Sequence, residues 1–406
     1  MERRTFIKAS AAGLASAVLP LGKTKAASKP SSLKKPPFSG PETKVFLAGL
    51  DRKSTEKAFK NAVREAAEAA TDFSWLSKGD TVFIKPALNS GNQYPATTSP
   101  LAIGAMVTLL KEKGAGKVIV GDMSGIEHVK LTQEGAEGSS RELMEACGMA
   151  EAALRAGAEL HFPEEAGWNS FYQDMPASGS NWKGSLMMPG ILREVDHIVL
   201  MPRCARHVLA GSTLGLKAAV GYWRTDTRLE YHRDAATFQE KTAEGNTVGT
   251  LLQKQRLVLT AADKILTSFG PDKGYVMQPE TGLVIASESV VAHDMVSLAW
   301  LLLNRESAPE SEKDTFSDPY ESQIIVTVAN HWVVAKLGGW LAALTPEALT
   351  RNDINTIWDD RTLNRAYQVL GGKPEVNIKT ANNVVPGEVE KSLVEMTTPQ
   401  ELETSA

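Results

Sequence analysis

Cysteine is scarce in this chain of 406 residues: Cys147 and Cys204 are the only two. Two thiols fall short of the four that an ordinary iron–sulfur cluster or an all-thiolate zinc site needs, so no iron–sulfur cluster is expected. They allow one disulfide at most, which excludes a disulfide scaffold. No G-x-G-x-x-G follows any strand-like segment, so the dinucleotide-binding fingerprint is missing. Aromatic residues make up 6%, hydrophobic residues 42% and charged residues 23%. Those fractions exclude a disordered, collagen-like or multi-span membrane chain and leave a soluble globular one.

A run long enough to span a bilayer is also lacking. The chain opens with Arg3-Arg4-Thr5-Phe6, followed by a moderately apolar stretch at 9–21 and small residues at Thr24, Ala26 and Ala27. The apolar part is too short for the ~20 residues of a membrane-spanning helix. Residues 1–27 therefore read as a twin-arginine signal peptide, which implies the twin-arginine export machinery as a partner and the periplasm as address. Without them the chain has 39 basic against 47 acidic residues. An acidic protein lacks the footprint for nucleic-acid binding, so no nucleic-acid partner is expected. Residues 28–43, rich in Ser, Pro and Lys, read as a flexible linker.

Strand-like and helix-like segments then alternate. Strands are expected at 44–50, 80–84, 117–120, 195–201 and 264–266, and helices at 54–70, 99–113 and 140–156. This order predicts an α/β fold with a mainly parallel sheet flanked by helices over residues 44–305. Ligands of such sheets bind at the carboxyl ends of strands. Residues 306–384 read as a helical C-terminal extension: a long amphipathic helix at 320–344, a helix opening at Thr345-Pro346-Glu347, and one at 362–370. Glu321, His331 and Lys336 interrupt the long helix, so no stable membrane span is expected after signal removal. Residues 385–406 read as an acidic, frayed tail.

Candidate functional groups follow the strands. Lys85 ends one strand and enters a loop with Asn89, a place to meet an anion or simply a surface lysine. Asp122 ends another, as a base, a metal ligand or a helix cap. Residues 202–233 are the richest segment, with Arg203, Arg206, His207, Lys217, Arg224, Arg228, His232 and Arg233 opposed only by Asp226 and Glu230. Its centre, Gly211-Ser212-Thr213-Leu214-Gly215-Leu216-Lys217, lacks the Walker spacing. What remains is a loop entering a helix, where N–H groups favour an anion. Arg and Lys nearby would add charge-assisted bonds to carboxylate or phosphate. Lys85, Asn89, Arg206, Thr213, Lys217 and Arg228 are thus the candidate ligand-binding residues. His207 and His232 are candidates for a proton-transfer pair with Asp122 as orienting group. The alternative, for which their spacing matches no compact metal motif, is a pair of metal ligands with Asp294. A third reading is a non-catalytic anion-binding protein. Cys204 is a nucleophile or, more simply, a buried thiol.

The segments 82–92 (VFIKPALNSGN), 116–122 (GKVIVGD), 206–223 (RHVLAGSTLGLKAAVGYW), 227–233 (TRLEYHR), 269–276 (FGPDKGYV) and 282–294 (GLVIASESVVAHD) occur in an order that resembles domain-of-unknown-function family 362. The resemblance covers roughly residues 44–305. The family pattern has Lys-Pro-Asn where this chain has Lys85-Pro86-Ala87, with Asn89 two residues on. It has Lys-Asn-x-x-Gly where this chain has Lys217-Ala218-Ala219-Val220-Gly221. The family tends to have Ser-Asp-Pro before its last Asp, where Ser287-Glu288-Ser289 precedes Asp294. Some relatives carry ferredoxin-like cysteine clusters, which this chain lacks. A distant similarity of the family to the lactate-racemase type of α/β protein implies histidine proton transfer.

Overall fold

Strand β1 (Ser39–Asp51) begins inside the expected linker, because its first residues already pair with the far end of the chain. Helix α1 (Glu56–Ala70) follows, capped by Thr55, whose hydroxyl accepts from the Ala58 N–H. Its Phe59, Ala62, Val63, Ala66 and Ala67 are buried, the face that the 3.6-residue spacing predicts. This computed structural model describes residues 39–312, 323–344 and 346–399. The expected signal peptide, the linker as far as residue 38 and the tail past 399 lie outside the described residues.

Four strands then run side by side in one direction: β2 (Thr81–Pro86), β3 (Lys117–Gly121), β4 (Glu159–His161) and β5 (His197–Met201). Helix α2 (Pro100–Glu112) crosses between β2 and β3, with Ser99 as its cap and Pro100 in its first turn. Alternate residues of these strands enter different cores. Val82, Ile84, Val118 and Val120 face the cluster built with α1 and α2, whereas Phe83, Ile119 and Ile198 face a second cluster on the other side. A sheet apolar on both faces needs a layer of helices on each, and that is the arrangement here.

Beyond β5 come a hairpin, β6 (Ala205–His207) with β7 (Gly211–Thr213), a single helical turn α3 (Gly215–Ala218) and helix α4 (Thr225–Arg233). The chain returns to the sheet as β8 (Gln255–Ala262) and β9 (Thr281–Ser287), then forms α5 (Val290–Glu306) and α6 (Gln323–Ala342). Last are α7 (Arg361–Val369), β10 (Lys373–Thr380) and α8 (Gly387–Thr397). The eight-stranded sheet has the order β10-β1-β9-β8-β5-β2-β3-β4. Only β9 runs against the rest, so the fold is the mainly parallel α/β type expected.

The C-terminal region departs from expectation. Strand β10 lies parallel to β1 and completes the sheet, so residues 306–384 are no purely helical extension. The described residues belong to one compact unit. The expected frayed tail instead holds α8, whose Leu393 is fully buried against α5. An acidic composition hid the apolar stripe of Val389, Leu393 and Met396, at helical spacing. Residues 346–354 are irregular, so no helix opens at Pro346. The expected helix at 140–156 is two, Ser140–Ala146 and Met149–Arg155, broken where Gly148 takes a left-handed conformation. The strand expected at 264–266 is a two-residue piece of a small sheet, and the sheet-forming strand is β8 just before it.

Candidate functional site

Strand parity places the first site residue. Lys85 is two residues beyond Phe83, so it points to the same face of the sheet, under the segment 219–233. Its Nζ lies 2.8 Å from Asp122 Oδ1 at the end of β3, and both side chains are almost completely buried. It also donates to the Pro86 carbonyl and sits 5.2 Å from the centre of the Tyr222 ring. Asp122 accepts the Leu88 N–H on its other oxygen. Burial pushes Lys85 down and Asp122 up from their ordinary values, and each opposes the other's shift through their contact. Gly221 lies directly over the pair: a Cβ there would strike Asp122 Oδ1 and come within 2.6 Å of Lys85 Nζ.

Arg228 and His232 stand four residues apart on α4 and so share one face. Arg228 reaches back to the loop after β3, donating to the carbonyls of Ser124 (2.6 Å), Met123 (2.8 Å) and Gly221 (3.2 Å). It thereby ties β3 to α4, and only Nε is left without a partner among the described residues. Burial lowers it to about 10, against the pull of Asp122 and Glu164.

Lys217 on α3 has neither a hydrogen-bond nor an ion-pair partner among the described residues. Burial, then the charges of Arg203, Arg228 and Lys85, pushes it down to about 7. His207 and His232 feel the same environment. Burial holds His207 well below its ordinary value, with Lys217, Arg203, His232 and Arg206 adding to the effect. Burial, then Lys217 and Arg228, lowers His232 to about 3 against the hydrogen bond it donates to Asn330. Both imidazoles are therefore neutral at pH 7.

The two rings have opposite tautomers. His207 Nδ1 accepts the N–H groups of Leu209 (3.1 Å) and Ala210 (3.3 Å), which puts the ring proton on Nε2. His232 Nδ1 lies 3.0 Å from Asn330 Oδ1, while the other end of that amide donates to the His232 carbonyl at 2.9 Å. The amide orientation fixed in this way makes Nδ1 the donor and leaves Nε2 of His232 with a lone pair.

Several expected roles change. Asp294 is no partner of the two histidines: it accepts the N–H groups of Gly215 (2.8 Å) and Leu216 (2.7 Å) and pairs with His293 at 2.8 Å. The loop-to-helix N–H groups expected to receive a ligand are therefore occupied by the protein's own carboxylate. His207, His232 and Asp294 do not bring their ligand atoms together as a metal-binding group. Asn89 is committed to other partners, donating to Ala96 O and to Asp272 Oδ1, at 3.0 and 3.1 Å. Cys204 is buried and its thiol is raised by burial, the reverse of an activated nucleophile. Arg206 is buried, and its charge lowers both His207 and Asp360. The Thr213 hydroxyl is buried on the hairpin with no partner among the described residues.

Arg203 is the cation that the motif reading passed over. It is completely buried, donates once, to the Pro95 carbonyl at 3.2 Å, and leaves Nε and Nη2 without partners among the described residues. Burial lowers it to about 10 despite the attraction of Asp272. In sequence it was one of six Lys/Arg residues in a basic segment, and nothing there singles it out.

A family model described as a domain of unknown function, DUF362, matches residues 82–299, more than half of the chain. The chain belongs to this family. No curated protein matches it. Among solved structures it is similar to the lactate racemase apoprotein from Thermoanaerobacterium thermosaccharolyticum, at 13% identity over 66% of this chain and 57% of that one, with a TM-score of 0.38. It is also similar to a protein from Thermotoga maritima, at 15% identity over 63% of this chain and 60% of that one, with a TM-score of 0.40. The chain thus spans less than two thirds of the length of either.

Lys85, Arg203, Arg206, Lys217 and Arg228, and both histidines, lie inside the region matched by the DUF362 model, but two neighbours do not. Asn330 on α6 sets the tautomer of His232, and Asp360 caps α7 through the Thr362 N–H at 2.7 Å. Burial, with a smaller push from Asp294, lifts Asp360 to about 6 against the N–H groups of Thr362 and Leu363. Asp360, Thr362, Asp294, Ser212 and Lys217 line one small cavity between α3 and α7.

Proposed function

We propose that this member of DUF362 binds a small anion, a carboxylate or phosphate, in the cleft between the carboxyl ends of β2, β3 and β5 and the segment 203–233. One observation carries the reading: half-buried Lys217 and completely buried Arg203 are cations without an ion-pair partner among the described residues, next to Lys85 and Arg228. Four positive groups sit together, and among the described residues Asp122 is the only carboxylate in contact with any of them. An anion bridging Lys217 and Arg203 would relieve their repulsion and receive charge-assisted hydrogen bonds. The histidines extend the reading to catalysis. His207 with its proton on Nε2 and His232 with a lone pair on Nε2 are an acid and a base in complementary states at neutral pH. A bound anion would raise both from their depressed values toward the working range.

Titration with inorganic phosphate and with oxalate, followed by thermal unfolding and calorimetry, tests the reading. At a hundredfold excess over Kd, binding stabilises by about 2.7 kcal/mol. A melting temperature several degrees higher is therefore expected with at least one of the two anions, and the shift should vanish in Arg203→Met. No shift with either anion at 10 mM rejects the cleft as an anion site.

The address belongs to the same proposal. Paired Arg3 and Arg4 ahead of a weakly apolar stretch support export by the twin-arginine pathway to the periplasm. Among the described residues no helix is long and apolar enough to cross a membrane. Changing Arg3 and Arg4 together to Lys should leave precursor in the cytoplasm. Normal periplasmic levels of that double variant would overturn the targeting argument.

A further inference from the structure

A second cluster of ligand-type side chains, made of residues other than the histidines discussed above, stands in the loops after β3 and β8. Glu127 and His128 lie in the loop after β3, in a turn closed by the N–H groups of His128 and Val129 on the Gly125 carbonyl, at 2.9 and 3.0 Å. Asp272 comes from the loop between β8 and β9, in a turn closed by the Gly270 N–H on the Lys273 carbonyl at 2.9 Å. One carboxylate oxygen of each acid and one ring nitrogen of His128 lie within 4.8 Å of one another. His128 Nε2 is 4.0 Å from Asp272 Oδ2. Glu127 is exposed and the other two are partly exposed, so an ion could enter from solvent.

We propose that Glu127, His128 and Asp272 form a site for one divalent metal ion of the zinc class, with its remaining position open toward an anion held by Arg203. The donor set is one imidazole and two carboxylates, the type that catalytic zinc sites use with a fourth position left to water or substrate. Ligand bonds of about 2.0–2.2 Å would place neighbouring donors about 3.3–3.5 Å apart around such an ion. The 4.0 Å between His128 Nε2 and Asp272 Oδ2 closes to that by small side-chain rotations.

Two observations outside the trio support the assignment. Asn89 Nδ2 donates to Asp272 Oδ1, leaving Oδ2, the oxygen on the His128 side, to coordinate. Outer hydrogen bonds of that kind orient carboxylate ligands at metal sites. Arg203 is coupled electrostatically to Asp272, is fully buried, and has two N–H groups without partners among the described residues. Two carboxylates cancel the charge of a divalent ion, and the adjacent guanidinium then calls for an anion that touches both. None of its three ligands is His207 or His232, although the loop that carries Asp272 packs on His207 and Arg203 is shared with the anion cleft.

The test uses the full chain as purified from the periplasm, stripped with a chelator, and titrated with Zn2+ by calorimetry and with Co2+ by absorption. One ion per chain is expected, with visible Co2+ bands of a four- or five-coordinate site. His128→Gln and Glu127→Gln alter exposed or half-exposed side chains and should leave the melting temperature of the metal-free protein unchanged. Each should weaken metal binding at least a hundredfold, whereas His232→Gln should leave it intact. Stoichiometric binding that survives His128→Gln, binding lost only in His232→Gln, or no binding below millimolar Zn2+ would each overturn the site. Phosphate stabilisation of the stripped protein is measured separately, so failure here and failure of the anion cleft are distinguishable.

Discussion

Gly221→Ala is expected to destabilise the protein by about 3–5 kcal/mol, the range for breaking a buried ion pair. A methyl group at this position would occupy the space of Asp122 Oδ1 and approach Lys85 Nζ and Cε to 2.6 and 2.9 Å. Lysine ends usually swing away cheaply, but this one cannot. Its amine is held by Asp122 and the Pro86 carbonyl, the Tyr222 ring covers it, and 1% of its side chain is exposed. Moving either partner leaves an uncompensated charge inside the protein. The backbone at Gly221 is also pinned, because its carbonyl accepts from Arg228. Denaturant unfolding of the purified variant measures the loss, and a change below about 1 kcal/mol would show that the pair relaxes without cost.

Lys217→Met is expected to separate stability from binding. An amine at about 7 in the folded protein and near 10.5 when unfolded binds fewer protons folded than unfolded between those values. Folding stability contributed by this group therefore rises with pH from about 7 to 10.5. Below about 7 both states are protonated and the full penalty of the buried charge is present. Methionine removes that penalty, so the variant should be about 1–3 kcal/mol more stable than wild type at pH 6. The gain should shrink as pH approaches 10. Binding should move the other way, since the anion needs the protonated amine. Phosphate or oxalate affinity in wild type should fall as pH rises through about 7, and in Lys217→Met it should be at least a hundredfold weaker at pH 6. A variant that loses stability at pH 6 would show that Lys217 has a structural partner, and one that binds phosphate normally would remove it from the cleft.

Asp294 shows why a motif can be in the right place and still have another role. A Gly-rich loop entering a helix offers N–H groups to an anion, and sequence cannot say whose anion takes them. Here it is Asp294, brought from α5 to the two N–H groups of α3 by packing that spans 78 residues of chain. Asn89 is a comparable case, since its amide is committed to Asp272, 183 residues away. Arg228 keeps its predicted place, but three main-chain carbonyls take most of its donors.

The alternation of apolar strands and amphipathic helices through residue 305 was legible in the sequence, because period-two and 3.6-residue burial are local properties of the chain. So was the placement of Lys85, Asp122 and the basic segment at strand ends, since parallel sheets gather those ends at one edge. The same locality explains what was missed. Strand β10 reads as polar because it sits at the sheet edge, and only pairing with β1, more than three hundred residues away, makes it a strand. Leu393 looks like part of an acidic tail until α5 covers it. Depressed lysine and histidine pKa values, opposite imidazole tautomers and the orphaned donors of Arg203 arise from burial and from neighbours distant in sequence. Those properties belong to the tertiary structure, because desolvation and Coulomb interaction depend on distance in space and not on spacing along the chain.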